Sequence, residues 1–599
     1  MTPPPFSPDM ALVFAVIGVT VVLFLTEWLR VDVVAILVMV SLPMLGLISG
    51  REAFNGLASN AVVSIIAVII MGRGLDHTGV INRLVRPLVE LAGNGRQRII
   101  VLLSGTVAVI SSLMQNIGAA ALFLPAIQRM SRSTGIPVAK LLMPVGFSAI
   151  LGGTVTLVGS SPLIMLNDLL RPYGLAPFSL FSVTPVGVAL VVAGIAYFLL
   201  FSRWVLPGSS EDTAASMSED PLAYYPELGR MYEIKAEAGL TEPPLVMDLY
   251  DGFGVHVVAL TLPGGTDTLV PPDRDLRIPE GSVFAVYGPP GAVQQMAEEY
   301  GLTVREHIRF FQDILSPEMS GVVEAVVPPH SSFLGKELGQ IRFRHNNRMA
   351  PLALSHEERT DYSGIQNHVL AVGDTILMFG TWEAFNDMSH KRDLLFVQSP
   401  DHEILVPSKA LMAVGCFALA TALVVFTDLA LAVCLMTGAL GMILTGVLDI
   451  DEAYRAVDWR TVFLLAGLIP LGLALEQTQA APWLAGHILN LLGSPAPLVF
   501  LFVVGLISTV ITLLVSNVGA TVLLVPLVVD MAGAIGTDPR LAALVVGLAA
   551  SNSFILPTHQ VNALYMGPGG YTSQDFVKAG IPMSLVFLVV MTAVIGLLY

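Results

Sequence analysis

The sequence predicts a polytopic α-helical membrane protein built from two copies of one unit, with a soluble α+β insert between them. Three observations carry that prediction. Hydrophobic residues make up 54% of the chain against 13% charged, and the mean hydropathy is +0.74, which places much of the surface in lipid. The apolar runs form two blocks, about 10–206 and 408–599, separated by roughly 200 residues of ordinary soluble composition. Finally, "SSLMQNIGAAALFLPAI" from Ser111 returns as "TLLVSNVGATVLLVPLV" from Thr512, each with an asparagine inside an apolar run.

Taken in order, the N-terminal stretch "MTPPPFSPDMALVF" lacks the basic region of a signal peptide, so the first apolar run is expected to stay as a spanning helix. "EAFNGLASNAVVSIIAVIIMGRGLDHTGVINRLVRPLVELAG" from Glu52 then matches "EAYRAVDWRTVFLLAGLIPLGLALEQTQAAPWLAGHILNLLG" from Glu452 in pattern: an interfacial segment, a span, an amphipathic stretch. Each half continues with a Gly/Ala-rich hairpin carrying the Asn, an interrupted span and a closing helix. The interrupted spans, "SAILGGTVTLVGSSPLIM" and "ASNSFILPTHQVNALYM", place Gly, Pro and small polar residues where a lipid-facing helix excludes them. The expected division is 1–206, first membrane repeat; 207–315 and 316–406, two soluble modules; 407–599, second membrane repeat.

Basic residues set the orientation. If each half crosses five times, the repeats have inverted topology. Arg30, Arg83, Arg86, Arg96, Arg98, Arg129, Arg132, Lys140 and Arg203 then share one side, which is the cytoplasmic one. The equivalent loops of the second half hold only Arg540. Trp28, Trp204 and Trp459, beside Arg30, Arg203 and Arg460, read as an aromatic belt at the same interface. The expectation is a plasma (bacterial inner) membrane protein with its central block cytoplasmic and both termini outside.

That central block is acidic, with about 30 Asp and Glu against about 13 Lys and Arg, which argues against nucleic-acid binding. It also repeats internally. "GSVFAVYGPPGAVQQM" from Gly281 aligns with "GDTILMFGTWEAFNDM" from Gly373 as strand, Gly and helix, each preceded by a strand-like run. The pattern resembles the TrkA-type C-terminal regulatory domain, for which a small regulatory ligand or a dimer contact is usual. A folded insert that only holds subunits together is the other reading. Cys416 and Cys434 lie in apolar spans without metal-ligand spacing, so they are expected to pack.

Chemistry concentrates at the hairpins. Asn116 and Asn517 are read as capping tips whose broken helix ends point at a midplane site, with hydroxyls five residues earlier at Ser111 and Thr512. Amide and carbonyl oxygens suit Na⁺, and helix N-terminal N–H groups suit an anion. An interhelical amide hydrogen bond is the plainer alternative. These elements carry no Asp, Glu, Lys or Arg up to the end of their broken sections, so neither a proton-relaying carboxylate nor a cationic clamp is expected within them. His559 is their one titratable side chain and is read as a packing residue. Gln115 either reaches into the site or faces the bundle.

The tips "QNIGAAALFLP" and "SNVGATVLLVP", with "GGTVTLVGSS" and "HQVNALYMGPGGY" in the broken helices, resemble the divalent anion:sodium symporter family, in its branch with two inserted TrkA C-terminal-type domains. The resemblance covers nearly the whole chain. It implies a homodimer in lipid, an elevator-type transport domain, no enzymatic activity, and a sodium ion at each hairpin tip. By match, one sodium site comprises Ser111, Asn116 and the backbone near Gly153, and the other Thr512, Ser516, Asn517 and the backbone near Ala550. Substrate contacts would come from both tips, including Gln115, and from Ser160, Ser161, Thr558 and Asn562. The first tip reads Gln115-Asn116-Ile117, without the Ser and Thr of the family motif. The His559-Gln560-x-Asn562 run is similar to the branch associated with sulfate and related inorganic anions, so sodium-coupled uptake of a small divalent anion is expected. A di- or tricarboxylate symporter on the same fold, a channel gated by the insert and a cation/proton antiporter are the alternatives.

Overall fold

A computed structural model describes the chain apart from residues 1–3, 27, 81–94, 135, 207–224, 237–242, 265–266, 306–307, 312–313, 316–318, 357–358, 392, 398–405, 493–494 and 599. Arg83 and Arg86, on the first amphipathic stretch, and the expected boundaries at 207 and 316 therefore lie outside the described residues. The chain divides into two compact units, residues 1–213 with 406–599, and residues 214–405.

The first unit is helical. Its N-terminal half runs α1 (Pro8–Thr26), α2 (Val31–Met44), α3 (Gly50–Phe54), α4 (Asn60–His77), α5 (Arg96–Ser111), α6 (Asn116–Thr134), α7 (Ala139–Gly152), α8 (Ser161–Leu170) and α9 (Thr184–Val205). The C-terminal half runs α10 (Ala410–Phe426), α11 (Leu431–Leu444), α12 (Ile450–Ala456), α13 (Trp459–Gln477), α14 (Ala480–Leu492), α15 (Pro497–Leu514), α16 (Asn517–Ile535), α17 (Pro539–Ala549), α18 (Gln560–Gly569) and α19 (Ser573–Leu598). Among the described residues, eight helices are long and apolar enough to cross a membrane.

Local chemistry fixes matching starts in the two halves. The backbone N–H of Ser49 donates to Glu52 (2.8 Å) ahead of α3, and that of Asp449 donates to Glu452 (3.1 Å) ahead of α12, each part of a capping box. Packing is reciprocal too: α2 lies on α13, and α4 on α11. At the first of these contacts a Cβ on Gly467 would run into the Ala35 carbonyl, so the helices approach that closely only because Gly467 has no side chain.

Two helices break in mid-course. Between α7 and α8, Leu157 N–H donates to Leu180 O (2.9 Å), Thr184 Oγ1 to Val155 O (2.7 Å), and Thr156 Oγ1 to Ser112 O. Between α17 and α18, Asn562 Nδ2 donates to Ser553 O (3.0 Å) and Leu556 O (3.3 Å). Protein groups thus replace the helical bonds that the small residues give up.

The second unit holds two antiparallel five-stranded sheets. One has the order β3-β2-β4-β1-β5, from β1 (Arg230–Lys235), β2 (His256–Thr261), β3 (Thr268–Leu269), β4 (Val283–Gly288) and β5 (Thr303–Arg305). The other has β10-β6-β9-β7-β8, from β6 (Ser320–Val326), β7 (Met349–His356), β8 (Arg359–Asp361), β9 (Thr375–Thr381) and β10 (Leu395–Phe396). Read from its far edge, the second order is the first with every strand advanced by five. Even the irregularity matches, with register shifts at Val257/Ala259 and Pro351/Ala353. The glycines ahead of β4 and β9, Gly281 and Gly373, both take the left-handed turn (φ 80° and 90°) that side chains disfavour. Facing residues of both sheets, among them Ala285, Tyr287, Leu377 and Phe379, share one buried cluster.

Candidate binding cavity

Six helices of the membrane unit begin at one cavity of about 430 Å³, with α2 (Val31) and α13 (Arg460, Thr461) among them. Its walls include the starts of α6 (Asn116, Ile117), α8 (Ser160, Ser161), α16 (Asn517, Val518) and α18 (His559, Gln560). Each start leaves backbone N–H groups without intrahelical partners and carries the positive end of the helix dipole. Some of these groups are capped locally: Gly519 N–H donates to Ser516 Oγ (3.0 Å) and Val561 N–H to His559 Nδ1 (3.2 Å). The arrangement favours negative charge, and no carboxylate or lysine is among the described lining residues.

Beside the first tip, oxygens crowd one amide. In one orientation the Asn116 side chain donates Nδ2 to Ser111 Oγ (2.8 Å), Ala149 O (3.3 Å) and Gly159 O (3.3 Å). In the other its Oδ1 faces the same atoms and accepts from Ser111 Oγ (2.8 Å). With the amide nitrogen turned to it, Ser111 Oγ gives its one proton to Ala149 O (2.6 Å). Such an oxygen set is served either by an N–H or, with the amide turned, by a small hard cation. Gly153 sits directly against the Asn116 amide, where a Cβ would collide.

The second tip is built differently. Thr512 and Ser553 line the cavity, and their hydroxyl oxygens are buried and have no hydrogen-bond partner among the described residues. Orphaned hydroxyls of this kind are costly unless something polar meets them. Ser516 and Asn517 also line the cavity; Ala550 caps α17 and is buried behind it.

Of the other expected contacts, Gln115, Ser160, Ser161 and Thr558 line the cavity. Ser160 Oγ lies 3.0 Å from Ser551 Oγ, so the two broken segments meet there. Asn562 is buried and braces the second break instead of lining the cavity. Two residues were missed by sequence reasoning. Arg460, an exposed residue in the first turn of α13, is among the lining residues, although the sequence places it at an interface. Asn552 is fully buried, donates to Thr509 Oγ1 (3.1 Å) and Ser584 O (3.3 Å), and keeps an unpartnered Oδ1 among the described residues. The polar run "SNS" in a break was its only signal.

The citrate transporter (CitMHS) family profile matches residues 21–547, most of the chain. The chain belongs to this transporter family. The transporter is 28% identical to an uncharacterized transporter of Synechocystis sp. over 609 residues, covering 99% of this chain and 97% of the relative. It is 28% identical to the uncharacterized transporter YfbS of Escherichia coli over 623 residues, covering 99% of each. Sodium/sulfate cotransporter 1 of Chlamydomonas reinhardtii is 21% identical over 360 residues, 55% of this chain and 39% of the relative. The kinship with sodium-coupled anion symporters therefore holds, and the transporter is not an enzyme.

Proposed function

We propose that the transporter couples inward sodium movement to uptake of a small divalent anion, most simply sulfate, bound in the cavity where α6, α8, α16 and α18 begin. The convergence of these four helix starts carries the reading. An anion there meets N–H groups, hydroxyls and the Arg460 guanidinium, and co-bound sodium supplies further positive charge. One sodium is held by Ser111, Asn116, the Gly159 carbonyl and the backbone around Gly153, the other by Thr512, Ser516, Asn517 and the backbone around Ala550. Gln115, Ser160, Ser161 and Thr558 contact the anion, with Asn562 shaping the loop behind it. The two halves form inverted repeats with re-entrant hairpins at α5–α6 and α15–α16, and the protein works as a homodimer by an elevator movement. Residues 207–315 and 316–406 are cytoplasmic TrkA-C-like modules that tune this movement, and the protein resides in the plasma (bacterial inner) membrane.

The test is flux into proteoliposomes with and without an inward sodium gradient, comparing sulfate with succinate. Sodium-driven accumulation of labelled sulfate is expected, and accumulation independent of sodium would overturn the coupling. Asn116→Ala and Asn517→Ala are each expected to raise the sodium concentration needed for half-maximal uptake, with expression and assembly unchanged. Wild-type sodium activation in both would leave the two amides as interhelical hydrogen bonds only.

A further inference from the structure

The second soluble module carries a polar triad that the first lacks. Asp374, ahead of β9, is 1% exposed. Its Oδ1 lies 2.5 Å from His356 Nδ1 at the end of β7, and its Oδ2 lies 2.9 Å from His368 Nε2. Ala371 N–H donates to the same Oδ2 (2.8 Å) and fixes the carboxylate. The two imidazole nitrogens and the carboxylate oxygen all lie within 4.8 Å of one another.

The duplication supplies an internal control. Val327 N–H donates to Asp374 O and Gly373 N–H to Val327 O; in the first module Ala236 N–H donates to Ser282 O and Gly281 N–H to Ala236 O. The same backbone turn is therefore made with Ser282 where the second module has Asp374. Thr375 pairs with Ser355 as Val283 pairs with Thr261, so His356 corresponds to Leu262. Leu338 N–H donates to His368 O as Val246 N–H donates to Leu276 O, so His368 corresponds to Leu276. The fold thus accepts Leu, Leu and Ser at the three positions. His, His and Asp occur together in the second module without the fold requiring them.

We propose that His356, His368 and Asp374 form a binding site for a zinc-type divalent cation in the second module. Two imidazoles and a carboxylate are a borderline-soft donor set that suits zinc and excludes magnesium or calcium as the preferred ion. Tetrahedral coordination needs donor atoms about 3.3 Å apart, so side-chain rotations that open the two imidazole–carboxylate hydrogen bonds would admit the ion. On binding, the proton each imidazole holds against Asp374 moves to the ring's other nitrogen, or to solvent where the ring is charged, which frees the lone pair of the ligating nitrogen. His356 is half exposed, which leaves entry and a fourth ligand position to water. The Ala371 N–H then orients the carboxylate from behind.

The test uses untagged full-length protein, stripped with chelator and dialysed against micromolar Zn²⁺, with bound metal counted by mass spectrometry. One zinc per chain is expected, retained in excess Mg²⁺. The double variant His356→Leu/His368→Leu installs the residues of the first module, so it should elute as wild type while binding zinc at least about 10-fold more weakly. If the double variant elutes abnormally, His356→Leu alone, at the half-exposed position, carries the comparison. Equal zinc in wild type and variant, or none in wild type, would overturn the proposal and leave the triad a hydrogen-bonded network only.

Discussion

At the scale of residues, the proposed anion site makes two lining side chains testable. Arg460 is its one arginine or lysine among the described lining residues, and an arginine–anion contact is charge-assisted. Arg460→Gln is expected to raise the substrate KM by about 10–100-fold, the worth of a hydrogen bond to a charged group. Uptake by the variant across a range of anion concentrations checks this, and an unchanged KM would place the guanidinium outside the binding step. Gln115 stands where the second tip has Ser516, and it lines the cavity. If its longer amide fills space there, it favours a compact anion over an extended dicarboxylate. Gln115→Ser should raise dicarboxylate uptake relative to sulfate by about 10–200-fold, the range for a pocket-sized change. Competition in the same liposomes at equal sodium gradient measures the ratio.

At the scale of elements, β2 carries an acid-sensitive group. His256 is 2% exposed, and burial, with the nearby Arg344 charge, pushes its pKa down to about 3. Arg344 is itself pushed down to about 10 by burial and by Arg274, with Asp273 and Tyr250 opposing. The folded strand therefore holds His256 neutral, while the unfolded chain protonates it below about pH 6.5. Stability from this group is fully present above that pH and falls as pH drops towards 3. By pH 5 the loss is about 2 kcal/mol. Hydrogen exchange of residues 255–261 in the full chain, corrected for intrinsic rates, should accelerate between pH 7 and 5. His256→Leu should flatten that dependence, and an unchanged profile would assign the acid response to other groups.

At the scale of the whole molecule, element order recurs about 400 residues on: α2 and α11 are both 14 residues long, α6 and α16 both 19, α8 and α18 both 10. If the halves are inverted, as the Lys/Arg asymmetry predicts, the residues 207–406 and the C-terminus face opposite sides. A cysteine introduced at an exposed insert position should label only from the cytoplasm, and one after α19 only from outside. Both native cysteines would be replaced first, since Cys416 is only partly buried. Labelling of both introduced cysteines from one face would exclude an odd number of crossings in the second half.

Much of this was legible in one dimension because it depends on solvent and on local geometry. Lipid demands long apolar runs, so composition alone announced a membrane protein. Broken helices need Gly, Pro and small polar residues, so the tips at Asn116 and Asn517 and both breaks could be located by eye. The repeat of the two modules was visible partly because the left-handed turn ahead of each strand favours glycine, at Gly281 and Gly373. Tertiary structure alone decided which side chains share a space. Arg460 reads as an interfacial residue and lines the cavity because α13 packs against α8 and α16. Asn562 turns to brace a loop because freed carbonyls at Ser553 and Leu556 need a donor. In the His356, His368 and Asp374 triad, the β7–β9 register brings His356 to Asp374 and the turn from 368 to 374 adds the second imidazole.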